Sequence, residues 1–151
     1  MNESFTIQQI ANAAGVTRYQ VEAWISRGHF NPSNKVEKGK ARAFNLDDAV
    51  LLATLAELNR LGLNPAIVSL HENQIKFRHG RGPLLVIKSV MRKVRTGSNA
   101  PEADEEIDVS AAEILNTDAL ISIIEDTRVR SFAVVNISEI EGRVKRSLEN
   151  S

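Results

Sequence analysis

The sequence predicts a mainly α chain with a small β component, in two units: four helices and a basic loop over residues 1–79, then a small α/β unit over 80–151. Three observations point there. Apolar residues recur at helical spacing through the first unit, punctuated by Gly15, Gly28 and Gly62. The run Gly80-Arg81-Gly82-Pro83 then breaks the chain, and the compact apolar runs after it, Leu84–Ile87 and Ser131–Val135, have the β-branched content of strands. Charge is also divided: 14 Lys and Arg against 7 Asp and Glu up to Arg95, but 5 against 12 from Thr96 onward.

A net charge of zero therefore conceals a basic part and an acidic part. Acidic residues such as Glu102, Asp104, Glu105 and Glu106 suit a solvated linker, yet the basic part still calls for an anionic partner. The absence of Cys excludes disulfides and thiolate chemistry. No apolar run approaches the roughly 20 residues that cross a bilayer. The start, MNESFTIQQ, lacks the basic and apolar regions of a signal peptide, so a cytoplasmic location is expected. His71 and His79 have no carboxylate at ligand spacing and read as ordinary polar positions. Asp47-Asp48 and Glu105-Glu106 suit helix capping and linker solvation. With no Gly-rich phosphate loop and no Ser/His/Asp set, no catalytic site, metal or cofactor is expected.

Within the first unit, Thr6 is a suitable N-cap for a short helix whose apolar face is Ile7, Ile10, Ala11 and Ala14. Ala14-Gly15 supplies a tight turn. Thr17 then caps a second helix in which Val21, Trp24 and Ile25 fall at helical spacing, and Gly28 stands where a left-handed residue ends it. This is the order of a helix-turn-helix, whose second helix presents its first exposed residues to base edges in the major groove. Thr17, Arg18, Tyr19 and Gln20 are the candidates, with Arg able to fork onto guanine and Gln onto adenine.

Residues 31–44 read as a wing. Asn31-Pro32-Ser33-Asn34 is rich in turn formers, and Lys38-Gly39-Lys40 suits a hairpin tip. Lys35, Lys38, Lys40 and Arg42 alternate with other residues, which on a ribbon sends their charges to one side as phosphate contacts. An isolated stretch of this kind would be a solvated loop; its position after a recognition helix favours the clamp. Asn45 caps a third helix with an apolar face of Val50, Leu51, Leu52, Leu55, Leu58 and Leu61. Asn64-Pro65 opens a fourth, with Ile67, Leu70, Ile75 and Phe77 expected to continue the core.

In the second unit, Leu84–Ile87 is a strand that Lys88–Arg95 extends, and 96–106 is a polar linker. Ile107-Asp108-Val109 begins a second strand or leads into a helix at Ser110. Thr117-Asp118 starts a helix buried through Leu120, Ile121, Ile123 and Ile124. Ser131–Val135 is a strand, and Ser138 caps a last helix with the stripe Ile140, Val144 and Leu148. So small a unit barely buries its own core, which favours pairing with a second copy or packing on the first unit.

Phe5-Thr6-Ile7, Ala11 with Ala14-Gly15-Val16-Thr17, Trp24, Gly28, Pro32, Arg42-Ala43-Phe44, Asp47-Asp48 and Leu61-Gly62-Leu63 occur in one order and spacing. On these residues the first unit resembles the winged helix-turn-helix of the MerR family and related excisionase-like modules. The resemblance implies a bacterial or phage-encoded DNA-binding regulator, acting as a dimer on a pseudo-palindrome. Major-groove reading would fall on Arg18, Tyr19 and Gln20, and backbone contact on Lys38, Lys40 and Arg42. The chain departs from the family in two places. Glu22 stands where a cation is usual, and Arg27 is a candidate to compensate; the long dimerising helix of MerR regulators does not follow the fourth helix. Two alternatives are an excisionase-like or phage-packaging architectural protein that recruits an enzyme, and a winged-helix module that binds protein.

Overall fold

A computed structural model describes residues 3–95 and 104–151. The first helix, α1 (Ile7–Ala14), is opened by a reciprocal cap: the Gln9 N–H donates to Thr6 Oγ1 at 3.2 Å and the Thr6 N–H to Gln9 Oε1 at 2.8 Å. Gly15, at φ 70°, turns the chain, and Thr17 caps α2 (Arg18–Ser26) by accepting the Gln20 N–H at 3.1 Å. Asn45 and Asp48 form a second reciprocal cap that opens α3 (Leu46–Arg60). Two one-turn helices follow, α4 (Pro65–Ser69) and α5 (Glu72–Lys76).

Helix α3 is buried on every side from Asp48 to Ala56, so a single apolar face underestimates it. A helix that is apolar all round needs neighbours all round. α1 supplies one, and the far end of the chain another: α7 (Ile137–Glu149) lies against both α1 and α3. Ile137, Ile140, Val144 and Leu148 of α7 join Ile10, Val21, Trp24, Phe30, Phe44, Leu52, Leu55 and Ile75 in one core. The polar margin follows suit, with Arg143 3.7 Å from Glu57 and Gln9 Nε2 3.0 Å from Ser151 Oγ.

The remaining elements form an antiparallel sheet in the order β2-β1-β3. β1 (Leu84–Arg95) pairs with β2 (Asp104–Leu115) from Leu84↔Leu115 to Arg95↔Asp104, and with β3 (Val129–Asn136) from Leu84↔Asn136 to Val90↔Val129. Leu85, Ile87, Ile114 and Val135 face the main core. Val86 and Leu115 face the other way and are covered by Ile123 of α6 (Thr117–Glu125). The fold class is thus as the sequence predicts: a helical first part, then a small α/β unit. That unit shares its core with the first through α7 and one face of the sheet.

Several expectations need correction. Ser110 does not open a helix; it lies within β2 opposite Ser89, because pairing along the whole of β1 overrides the helix propensity of the Ala-Ala-Glu that follows. β2 begins at Asp104, so 104–106 are strand, while 96–103 of the expected linker lie outside the described residues. α6 lies on a sheet face and buries one stripe, which leaves Ile121 and Ile124 57% and 60% exposed. Ile67, Leu70 and Phe77 are exposed, since one-turn helices offer inward room only to Val68 and Ile75; Leu61, past the end of α3, is exposed too. The last helix is capped by Asn136, which accepts the Glu139 N–H at 3.0 Å, and not by Ser138.

Candidate nucleic-acid interface

Two short segments hold the candidate side chains. At the start of α2, Arg18 and Tyr19 are exposed, Tyr19 to 81%, whereas Gln20 is half-buried. Val21 and Trp24 anchor the opposite face in the core and fix how the helix is presented. The Thr17 hydroxyl is occupied as the cap, so its role is to start the helix. Glu22 sits one turn after Arg18 and accepts from its Nε at 3.1 Å. The cation at the head of α2 is therefore held by Glu22. Arg27 is exposed at the far end of the helix, about 13 Å along its axis from Arg18 at 1.5 Å per residue.

The second segment is the loop 31–43. It is not a β-ribbon: its backbone forms no ladder, and its one strand-like contact is the bridge between Phe44 and Phe5 at its end. The alternation of basic residues therefore has no pleat to sort it. Side chains hold the loop instead. Asn34 Nδ2 donates to the Ala43 carbonyl at 3.1 Å and ties its two limbs, and Gly39, at φ 79°, forms the tip, where the Lys40 N–H reaches the Glu37 carbonyl. At its base the Asp48 carboxylate, fully buried, accepts from the Ser33 N–H at 2.9 Å, the Ser33 hydroxyl at 3.0 Å and the Asn45 N–H at 3.1 Å. Asn31 is fastened to α5 through Glu72 and Lys76. Lys35, Lys38 and Lys40 are exposed on this anchored loop and Arg42 is half-buried. Lys40 pairs with Glu37 at 2.9 Å, but two groups so open to water hold each other by no more than about 1 kcal/mol.

Residues 5–71 match the family described as MerR HTH family regulatory protein. Residues 5–71 are thus similar to a MerR-type helix-turn-helix. The match ends with α4, so α5, the sheet, α6 and α7 lie outside it. No curated protein matches the chain. That family is one of DNA-binding regulators; within the matched residues the Thr6 and Thr17 caps, the Gly15 turn and the stacked rings of Phe30 and Phe44, 6.2 Å apart, hold this chain's fold.

Sequence reasoning missed two supports of the module. Asp48 was legible as the partner of Asn45 in a cap, but Ser33 lies 15 residues before it and no local rule joins them. Arg78, 3% exposed, donates to Asp47 at 3.1 Å, to Glu141 of α7 at 3.0 Å and to the Ile75 carbonyl at 3.0 Å. Burial pushes the Glu141 carboxyl up, but hydrogen bonding and charge from Arg78, with help from Lys145, hold it below the usual carboxylate value. Among the described residues no group of three or more His, Asp or Glu is placed to hold a metal, and no helix is long and apolar enough to cross a membrane.

Proposed function

We propose that the chain is a sequence-specific transcriptional regulator that inserts α2 into the major groove of double-stranded DNA. The observation that carries this reading is the pair of exposed side chains, Arg18 and Tyr19, at the capped head of a helix whose other face is locked into the core. Base readout then falls to Arg18, Tyr19 and Gln20. Lys35, Lys38, Lys40 and Arg42 on the anchored loop, with Arg27 at the end of α2, neutralise phosphates. The Arg18–Glu22 pair is no obstacle. An exposed i, i+4 pair contributes about 0.3–0.5 kcal/mol, less than a good bidentate contact to guanine supplies.

Residues 1–79 are the DNA-binding unit in this reading, and 80–151 join two copies into a homodimer or take a protein partner. Support for that role comes from Ile121 and Ile124, which stand open on α6. The reading involves no catalytic step and no cofactor, and it places the protein in the cytoplasm of a bacterium or in a phage-infected cell.

Selection from a randomised duplex pool at moderate salt tests it. The expected result is an enriched inverted repeat, bound less tightly as salt rises. Enriched direct repeats would replace this reading with the architectural one. Absence of any salt-dependent binding would overturn both and leave a protein-binding module.

A further inference from the structure

A cavity of about 440 Å³ lies between the connection from α3 to α4 and the near face of the sheet. Strand register explains why it exists. On that face Ile87 stands opposite Ala112 on one side and Ala133 on the other; the next rank is Ser89, opposite Ser110 and Ser131. Apart from Ile87, all of these side chains are small, so they stop short of Leu63 and Ile67 on the opposing wall. Facing residues on adjacent strands have Cβ atoms roughly 5 Å apart, so the three hydroxyls form a line of about 10 Å. A rank of hydroxyls thus borders an apolar floor and wall.

The polar end is built of hydroxyls and an imidazole, with paired charges at its rim. His71 Nε2 lies 2.7 Å from Ser110 Oγ, and burial lowers the tendency of this imidazole to take a proton. Two charged residues at the rim are already engaged. Asp108 accepts from Arg130 at 3.3 Å and from Ser89 Oγ at 3.4 Å, and Lys88 pairs with Glu113 at 3.2 Å. With both paired, the rim offers a ligand no unpartnered charge among the described residues. The volume is about 440 Å³. It falls within the range of small-molecule sites, which join an apolar lining to a few convergent polar groups.

We propose that this cavity binds a small, uncharged, largely apolar molecule bearing a hydroxyl or carbonyl oxygen. The oxygen meets the rank Ser110–Ser89–Ser131, in which Ser89, donating to Asp108, offers its lone pairs and Ser131 can donate or accept, and the apolar part lies against Leu63, Ile67 and Ile87. Benzyl alcohol and toluene, nearly equal in size and differing by that oxygen, are suitable probes. In a titration of the ¹⁵N-labelled full chain, benzyl alcohol should give saturable shifts at the amides of Ile87, Ser89, Ser110 and Ser131. It should bind about two- to tenfold more tightly than toluene, the value of one added hydrogen bond. Ser110→Ala should remove most of that preference. Ser131→Trp, at an exposed position on the cavity edge, should abolish binding of both probes while the amides of α2 keep their shifts. Equal binding of the two probes, binding by neither, or binding undiminished in Ser131→Trp would overturn the proposal. DNA is absent from this assay, so its outcome is independent of the regulator reading.

Discussion

The head of α2 and the loop 31–43 both offer cations to solvent, and they are built on opposite principles. The helix is made by its own neighbours: Thr17 caps it, and Val21 and Trp24 recur at helical spacing to seat it. The loop has no regular backbone to shape it. It depends on a carboxylate 15 residues away, Asp48, and on α5 beyond that. Order in an irregular segment has to come from side chains that are distant in sequence, because turns alone leave the limbs unpaired. The first region is thus locally specified, and the second is a tertiary construction carrying charge.

Substitutions can break or sharpen this contrast. The largest effect is expected from Trp24→Ala, which empties a buried site under α2 and should cost about 3–5 kcal/mol in denaturant unfolding. Full stability with DNA binding alone lost would show that Trp24 does not seat the helix.

Next is Arg78→Met, which leaves Glu141 to Lys145 and Asp47 to His79. A cost of about 2–4 kcal/mol is expected, below that of a fully buried pair because Asp47 reaches solvent. The effect should depend on pH in a definite direction. Glu141 binds its proton less readily in the folded chain than in the unfolded one, so the network stabilises the fold above the ordinary value of 4.5. That contribution fades as pH falls through the depressed folded value. The stability gap between the two proteins, measured by urea titration, should therefore narrow in acid; a constant gap would mean that Arg78 acts by packing alone.

Smaller effects test the proposed division between base reading and phosphate contact. Arg18→Ala should lose about 1–3 kcal/mol of discrimination at particular base pairs, whereas Lys38→Ala should weaken all duplexes alike and reduce the salt slope by about 1. A sequence-selective loss with Lys38→Ala would reverse the roles of the two regions. The smallest change is expected from Glu22→Gln, which frees Arg18 and removes a charge repelled by phosphate. Affinity at low salt should rise by about twofold, the scale of one exposed pair. Weaker binding would instead make Glu22 the group that orients Arg18.

Much of the N-terminal module was legible because its signals are short in range. Thr6, Thr17, Asn45 and Asn64 cap helices as their chemistry suggests, and Gly15 and Gly28 take positive φ where turns need it. The exposure of Arg18 and Tyr19 at the head of α2 was legible by position, although the half-burial of Gln20 and the tie between Arg18 and Glu22 emerge only when the helix is built. The second unit was harder to read. Ser110–Leu115 has the composition of a helix start and becomes strand only because β1 offers a partner along its length. Ile121 and Ile124 read as core because α6 is apolar on several sides, yet a sheet covers only one of them.

The sequence by itself determined where α1, α2 and α3 begin and end, which face of α2 is apolar, and how charge divides along the chain. These depend on spacings of a few residues, over which backbone geometry is nearly invariant. That the expected fourth helix divides into α4 and α5 was not foreseen. Only the tertiary structure decided that α7 returns to close the core of the first unit, that Asp48 and Arg78 hold distant segments together, and that three serines align across the sheet beneath Leu63 and Ile67. Those arrangements join residues far apart in the chain. Strand register and the packing of helices onto a shared core set them, and no local pattern encodes either.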